Sequence, residues 1–284
     1  MFKLFNRIKS DFFMKSRLNR YFEILKFAQQ SDYIIMSVID FYKSIKTGKI
    51  LDKPVLILRH DVDHHLKTAE KMFNFHVNNS ITSTFYFRLS TFRKNLIERM
   101  VLFGTEASYH NEELSDHIKM TGRLMNQIDY NTFNAIQNDF ISKVRSLREK
   151  FDIPIKSVAA HGDFINRKLG LVNNLIINDF VKTKLQIDVE AYEPVLMNSV
   201  DIYVSDSVYP NEFNIDFPID DLITQRKNIM LLIHPNNWEI NLVEQIKVNT
   251  IRIIEGIMIF LRLPNKNITI TSLKRLRKKN GFNR

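Results

Sequence analysis

The chain of 284 residues contains no cysteine. This absence excludes disulfides, thiolate metal ligands and a cysteine nucleophile. Any transition-metal site must therefore be built from His, Asp or Glu, a ligand set that suits zinc, manganese, iron or cobalt. Glycine and proline are also scarce, with seven residues of each, and this scarcity excludes a low-complexity chain.

Long hydrophobic runs are missing as well. No window holds about 18 consecutive apolar residues, so no membrane-spanning helix is expected. The N-terminal residues Met-Phe-Lys-Leu-Phe-Asn-Arg-Ile-Lys-Ser are charged and amphipathic, without the unbroken apolar core of a signal peptide. We therefore expect a cytoplasmic protein.

Acidic residues are too few to balance the basic ones, and the formal net charge is +10. Much of the excess lies near the two ends, within residues 3–20 and 274–284. Solvated termini are the simpler explanation. The alternative is peripheral contact with an anionic membrane surface, to which each clustered basic residue adds roughly 1 kcal/mol. No nucleic-acid partner is expected, because no nucleic-acid motif accompanies the charge.

Strand and helix patterns alternate along the chain, which predicts an α/β fold with a mainly parallel sheet, open or closed into a barrel. The predicted helices are one or two within 18–47, followed by 66–77, 91–103, 131–151, 171–184 and 242–261. The predicted strands are 55–58, 82–88, 106–109, 157–160, 185–189, 199–204 and 228–233. The last helix is expected to pack against the rest of the protein. Within 251–261 the apolar positions nearly surround the helix, which suits burial in a core better than lying in a membrane interface.

The first predicted strand carries the strongest functional signal. Its apolar run from Val55 to Leu58 is typical of a strand buried on both faces, and it ends in Arg59, His60, Asp61 and Asp63. A regular strand would point the two carboxylates the same way, and they would repel each other unless a cation or a shared proton held them. The pattern favours a metal site. A salt bridge from Arg59 to one carboxylate is the alternative.

Residues suited to metal binding or proton transfer recur where the predicted strands end. They are Asp61, Asp63, His110, His161, Asp206 and His234. If the strands are parallel, these ends gather on one face of the sheet. Surface histidines placed at random would show no such bias, so the pattern predicts a common site.

Five segments, in this order, resemble the motifs of the polysaccharide deacetylase family, the NodB-homology carbohydrate esterases. The first is similar to the family's His-Asp-x-Asp variant, and the five cover roughly residues 50 to 240. They are Leu58-Arg-His-Asp-Val-Asp63, Gly104-Thr-Glu-Ala-Ser-Tyr-His110, Ser157-Val-Ala-Ala-His-Gly-Asp163, Tyr203-Val-Ser-Asp-Ser207 and Leu232-Ile-His-Pro-Asn-Asn-Trp238. Each segment alone is a weak signal, whereas five in order, each at a predicted strand end, are more specific.

The resemblance implies a distorted (β/α) barrel that binds a divalent metal, with zinc expected. It also implies hydrolysis of the N-acetyl group of an amino sugar or of a saccharide intermediate in polysaccharide biosynthesis. Carried over by position, Asp61 would be the general base and His234 the general acid, while Asp63 and His110 would be metal ligands. These residue types suit the chemistry, since a carboxylate can take a proton from water and a histidine can return one to the leaving amine.

The sequence departs from the family at one expected ligand. The common pattern has a second histidine four residues after the first, and Leu114 stands there. His161 is our preferred replacement, because it ends another strand and the following glycine permits close backbone approach. The other candidates are Glu112, Glu113 and His117. The departure leaves an alternative function, a catalytically silent barrel that acts as a carbohydrate-binding or scaffold module.

Four further residues are expected to contact substrate or to support the site: Arg59, Glu112, Asp206 and Trp238. Trp238 could stack on a sugar ring or close the rim of the barrel. Along the chain we predict an N-terminal helical extension (1–49), a deacetylase-like barrel (50–262) and a basic C-terminal tail (263–284).

Overall fold

In the computed structural model, the described residues are 16–122, 128–163, 165–166, 173–206, 219–239 and 241–262. Their strands are β1 (Ile34–Met36), β2 (Val55–Val62), β3 (Thr84–Phe87), β4 (Glu106–Asn111), β5 (Ser157–Ala160), β6 (Val189–Glu190), β7 (Ile202–Ser205) and β8 (Ile229–Ile233). Their α-helices are α1 (Leu18–Gln30), α2 (Val38–Lys46), α3 (Leu66–Asn78), α4 (Lys94–Phe103), α5 (Glu113–Thr121), α6 (Tyr130–Phe151), α7 (Asp179–Leu185), α8 (Pro194–Met197), α9 (Ile219–Thr224) and α10 (Leu242–Arg262). The described residues also form two short 3₁₀ helices, Asn173–Ile176 and Pro235–Asn237.

The strands form one sheet in the order β6-β5-β4-β3-β2-β8-β7, and every pairing within it is parallel. β1 pairs with the first half of β2, while β3 pairs with the second half. The sheet curls, so that its two edge strands approach each other: the side chains of Tyr192, just after β6, and of Tyr203 in β7 are close enough to interact, and both lie near Arg59 of β2. The predicted α/β fold, a distorted barrel of parallel strands with surrounding helices, is confirmed.

β2 lies at the centre of this arrangement. All eight of its residues are buried, including the charged ones near its end. Its C-terminal half lies between β3 and β8, whose ends therefore open on the same edge of the sheet as Asp61. The continuous apolar start of β2 suits a position with packed layers on both faces.

Three secondary-structure predictions are wrong. One is the strand predicted over 185–189, because Leu185 ends α7 and only Val189 lies in a strand, β6. Residues 18–47 have helical spacing and are predicted to hold helices only, but Ile34–Met36 form the strand β1. Its backbone pairing with β2 outweighs the local helical pattern. The predicted helix over 171–184 is instead the 3₁₀ turn Asn173–Ile176 followed by the short helix α7. The division into extension, barrel and tail stays a prediction, and residues 1–15 and 263–284 lie outside the described residues.

A buried chain of hydrogen bonds ties α1 to the sheet. His60 Nδ1 lies 3.0 Å from the carbonyl oxygen of Thr84, so this nitrogen carries the proton and Nε2 accepts from the Tyr21 hydroxyl at 2.7 Å. That hydroxyl in turn accepts from His76 Nε2 at 2.6 Å, which leaves His76 Nδ1 to accept from Ser83 at 3.0 Å. All the partners are neutral, and burial lowers the pKa of His60 to about 3.

The helix α10 contradicts the expectation that its apolar surface is packed. Most of its described apolar side chains face solvent, as at Val243, Ile253 and Ile257. Among the helices of the described ranges, α10 included, none combines the length and the apolar character that crossing a membrane requires.

Candidate active site

The site begins where β2 ends. Asp61 is the second-last residue of the strand, and Asp63 follows directly after its last residue, Val62. Both carboxylates point towards His110 of β4: Asp61 Oδ2 and Asp63 Oδ1 each lie 3.5 Å from His110 Nε2. The parallel order β2-β3-β4 brings these strand ends to one edge, as the sequence predicts.

His161 joins this group from β5. His110 pairs with Ala159 across the β4–β5 ladder, and the backbone N–H of His161 donates to the Asn111 carbonyl at 2.9 Å, which extends the pairing by one step. From this position His161 Nε2 lies 3.3 Å from Asp63 Oδ1. Asp63, His110 and His161 thus offer three ligand atoms that all lie within 4.8 Å of one another.

These three side chains fit a metal ion. The separations of His161 Nε2 and His110 Nε2 from Asp63 Oδ1, 3.3 and 3.5 Å, exceed the length of a strong charge-assisted hydrogen bond. They are close to the spacing of about 3.4 Å between ligand atoms around a tetrahedral ion with bonds of roughly 2.0–2.2 Å. The group contains two imidazoles and one carboxylate, a set that zinc accepts and that manganese, iron and cobalt also accept.

The protonation states fit as well. His110 Nδ1 lies 2.9 Å from the carbonyl oxygen of Ala159, so it holds the proton and leaves the Nε2 lone pair aimed at the carboxylates. Burial lowers the pKa of His110 to about 4, against the opposing effect of Asp61 and Asp63. For Asp63, burial alone would raise the pKa, but the neighbouring His161 and His110 hold it well below its usual value. At neutral pH His110 is therefore a neutral imidazole and Asp63 is a carboxylate.

Glu112 and Arg88 lie behind His161. Glu112 Oε2 is 3.4 Å from His161 Nδ1 and 2.6 Å from Arg88 Nη2. A carboxylate at the second ring nitrogen of a ligating histidine fixes the orientation of the ring and favours a proton on that nitrogen. Glu112 therefore lies where it can direct His161 Nε2 towards Asp63, rather than in the ligand group itself.

The other candidate ligands lie elsewhere. Glu113 points to the hydroxyl of Tyr109 and to Lys143, whose Nζ is 3.5 Å from its Oε1. His117 is on the next turn of α5 and is not part of the ligand group. Leu114, at the position where the family has a histidine, is fully buried in the hydrophobic core. The helix α5 therefore supplies no ligand to the group formed by Asp63, His110 and His161.

Asp61 is held by Arg59. The guanidinium donates to both carboxylate oxygens, from Nε at 2.8 Å and from Nη2 at 2.7 Å, and both side chains are almost completely buried. Burial would raise the pKa of Asp61, but Arg59 and then His110 lower it below its usual value. The salt bridge that stood as an alternative to a metal site therefore exists beside the ligand group, and it leaves Asp61 ionised.

Two tyrosines that the sequence does not single out surround Arg59. Its guanidinium carbon lies 4.4 Å from the centroid of the Tyr192 ring and 5.3 Å from that of Tyr86, and Nη2 donates to the Tyr192 hydroxyl at 3.1 Å. Stacking on aromatic faces suits a buried guanidinium. Tyr192 lies outside every motif, and only the curl of the sheet brings it to β2.

On the other side of β2 lies His234, directly after β8. In the parallel pair β2–β8, His60 lies beside Ile233. The residues that follow, Asp61 and His234, therefore lie side by side at the same end of the sheet. His234 Nδ1 is 2.6 Å from Asp206 Oδ1, and the backbone N–H of His234 donates to Asp206 Oδ2 at 2.7 Å. Burial alone would lower the pKa of His234, but Asp206, with smaller contributions from Asp63 and Asp61, raises it to about 9. The ring is therefore an imidazolium at neutral pH.

Trp238 supports the pair formed by Asp206 and His234 and does not present a face on which a sugar ring could stack. Its indole N–H donates to Asp206 Oδ2 at 2.7 Å, its ring packs edge-on against Tyr21, and only 4% of the residue is exposed. Of the two roles considered for Trp238, the structure favours closing the rim. Ser207, which follows Asp206 in the fourth motif, lies outside the described residues.

The residues that sequence reasoning missed are Arg88, Tyr86 and Tyr192. Arg88 ends the predicted strand 82–88 and could have been found by the strand-end rule that found the others. The tyrosines carry no comparable signal, because aromatic residues in strands are common core residues.

No protein-family model matches the chain, and no curated protein is significantly similar to it. Among solved structures, one similar chain is a mutant of a CE4-family pseudoenzyme with restored enzymatic activity, at 11% identity and a TM-score of 0.39. The match covers 72% of this chain and 63% of that one, so the chain spans less than two thirds of that structure. Another is a point mutant of the peptidoglycan deacetylase PdaC from Bacillus subtilis, at 14% identity and a TM-score of 0.40, with 81% and 94% covered. Similarity this low assigns no activity.

Proposed function

We propose that the protein is a metal-dependent hydrolase that removes the N-acetyl group from an amino sugar or from a saccharide intermediate of polysaccharide biosynthesis. One observation carries the proposal. The ligand group formed by Asp63, His110 and His161 has an ionised carboxylate, Asp61, on one side and a protonated imidazole, His234, on the neighbouring strand. Hydrolysis of an amide needs this combination of a base and an acid.

Asp63, His110 and His161 would hold the ion, which we propose to be zinc. When bound, a divalent metal supplies Lewis-acid polarisation of the amide carbonyl and lowers the pKa of a water molecule. The remaining chemistry belongs to residues of the chain.

Asp61 would take the proton from the attacking water. Both of its oxygens accept from Arg59, so the carboxylate cannot rotate, and Oδ2 faces His110 at 3.5 Å. The same salt bridge lowers the basicity of Asp61, which therefore works through position more than through proton affinity. A carboxylate that is ionised at every physiological pH is always ready to accept.

His234 would donate a proton to the leaving nitrogen. Asp206 accepts from Nδ1, so the proton available for transfer is the one on Nε2. With a pKa of about 9, His234 carries that proton at neutral pH and can also stabilise negative charge on the carbonyl oxygen as it develops. Asp206 and Trp238 hold the ring in place.

The choice of an N-acetyl sugar rests on the five motif segments between Leu58 and Trp238, which resemble those of the polysaccharide deacetylase family. The test is acetate release from N-acetylglucosamine oligomers by purified full-length protein supplied with Zn²⁺. We expect release by the wild type and a fall of roughly 100-fold or more for Asp61→Asn, the usual scale for loss of a general base. The matched control is Asp52→Asn, an exposed aspartate outside the site. A zinc-loaded wild type that releases no acetate would favour the silent carbohydrate-binding barrel.

A further inference from the structure

The helix α10 has its apolar side outward. An ordinary surface helix turns its apolar stripe to the core and its polar face to water. In α10 six aliphatic residues are between 52% and 80% exposed: Leu242, Val243, Ile246, Ile253, Ile254 and Ile257. With about 100° of rotation per residue, these six fall within an arc of roughly 120°. They form one continuous stripe, which we call the α10 stripe, about 22 Å long.

The opposite face of α10 holds it to the body of the protein. Gln245 and Val248 are buried there, and Glu255 lies 3.9 Å from Lys119 of α5. The contacts that the helix makes with the body of the protein therefore lie on the side opposite the exposed aliphatic residues. The exposed stripe is a consequence of this packing rather than of a detached helix.

Basic residues follow the stripe along the chain. No Asp or Glu occurs after Glu255, whereas eight Lys or Arg residues do: Arg262, Lys266, Lys274, Arg275, Arg277, Lys278, Lys279 and Arg284. A second basic segment begins at the other end of the chain, with Lys3, Arg7, Lys9 and Lys15. The backbone N–H of Arg17 donates to the Trp238 carbonyl at 2.7 Å, so this segment joins the body four residues before α10 begins.

We propose that the α10 stripe docks on an anionic lipid bilayer, with the two basic segments providing electrostatic attraction. An aliphatic helix face with cationic flanks has the chemistry of a helix that lies in the membrane interface. A second copy of this chain is a poorer occupant, because pairing two stripes would bring basic flanks of the same sign together. Anionic headgroups complement that charge instead.

The test is co-sedimentation of the full-length protein with vesicles of phosphatidylcholine alone or of phosphatidylcholine mixed with phosphatidylglycerol. We expect binding to the mixed vesicles, much weaker binding to phosphatidylcholine, and a decrease at high salt as the Debye length shortens. Ile257→Asn should lower the bound-to-free ratio about tenfold, the effect of removing one aliphatic side chain from an apolar contact. Lys278→Gln should lower it about fivefold.

The matched control is Leu102→Asn on α4, the same loss of an aliphatic side chain at a position that is 88% exposed and outside the α10 stripe. Its bound-to-free ratio should stay within twofold of the wild type. Because Ile257 and Leu102 are both exposed, both variants should melt as the wild type does. No binding of the wild type to mixed vesicles at low salt would overturn the proposal, as would undiminished binding by Ile257→Asn. A wild-type dimer that Ile257→Asn dissociates in sedimentation experiments would assign the stripe to a second copy instead.

Discussion

His161 Nε2 lies 3.3 Å from Asp63 Oδ1, although the two residues belong to strand ends that are separated by two further strands of the sheet. This contact completes a ligand group that the sequence leaves incomplete at Leu114. The third candidate ligand comes from the end of β5, because Asn111, at the end of β4, accepts from the His161 backbone and so aligns the two strand ends. Glu112 Oε2 lies 3.4 Å from the other ring nitrogen of His161, Nδ1.

Removing His161 should weaken metal binding without unfolding the protein. We expect His161→Ala to lower zinc affinity at least 100-fold, because only two protein ligands would remain for an ion that takes three or four. Glu112→Gln should have a smaller effect of about tenfold, as is usual for partners of a ligating histidine. Competition with a chromophoric chelator measures both affinities. Equal affinity in His161→Ala and the wild type would remove His161 from the ligand group.

The two neighbouring aspartates should respond differently to the same substitution. We expect Asp63→Asn to lose most bound metal, while Asp61→Asn retains the metal and loses hydrolysis, because Asp61 is engaged by Arg59 and Asp63 faces both imidazoles. Elemental analysis of each purified variant, with Asp52→Asn as the control, reports metal content alongside acetate release. Equal metal loss in both variants would make Asp61 a ligand rather than the base.

Activity should depend on pH through His234. Its pKa of about 9 lies above the ordinary value for histidine, so the proton needed for transfer is present below that pH and is lost as the pH rises through it. In Asp206→Asn the carboxylate that raises this pKa is gone, and the alkaline fall in kcat should move towards neutral pH. A kcat–pH profile of the two proteins checks this shift. An identical alkaline limb in both would show that His234 is not the acid.

Placing a histidine at position 114, where the polysaccharide deacetylase motif would have one, should damage this protein rather than improve it. Leu114 is fully buried in the core, so Leu114→His would lose apolar contacts and bury an unpaired polar ring, at a cost of about 2–4 kcal/mol in the free energy of unfolding. The control is Met120→His on the same helix, where the side chain is exposed and the change should stay within about 0.5 kcal/mol. Urea denaturation compares the two. Unchanged stability combined with tighter zinc binding in Leu114→His would contradict the assignment of His161.

The Tyr21 hydroxyl should be important for stability, not for catalysis. Tyr21→Phe would leave His60 Nε2 and His76 Nε2 without their shared partner inside the core, at a cost of about 2–4 kcal/mol for two buried polar groups. Tyr130→Phe, at an exposed position, is the control and should change stability by less than about 0.5 kcal/mol. Thermal and urea unfolding measure the difference. A wild-type-like unfolding curve for Tyr21→Phe would show that the hydrogen-bond chain contributes little.

Much of the fold could be read from local patterns. The boundaries of α6 and β5 agree with the sequence prediction to within one residue, because long amphipathic periodicity is a strong local signal for α6 and the His161-Gly162 pair marks the end of β5. β1 was missed because three residues carry too little pattern, and pairing with β2 determines their conformation. The predicted bounds of α10 are correct, but its apolar side faces solvent and not the core. Periodicity shows that a helix has an apolar side, not which side packs against the rest of the protein.

The sequence by itself determined which side chains could perform the chemistry and that they stand at strand ends. The strand-end pattern alone predicts a common site for Asp61, Asp63, His110, His161 and His234. Only the tertiary structure decided their relations: that His161 approaches Asp63, that Arg59 holds Asp61 between tyrosines, and that Asp206 keeps His234 protonated. The physical reason is that distances between strand ends and burial around a charge depend on the order of strands and the curl of the sheet. Neither quantity is contained in the local pattern of any one segment.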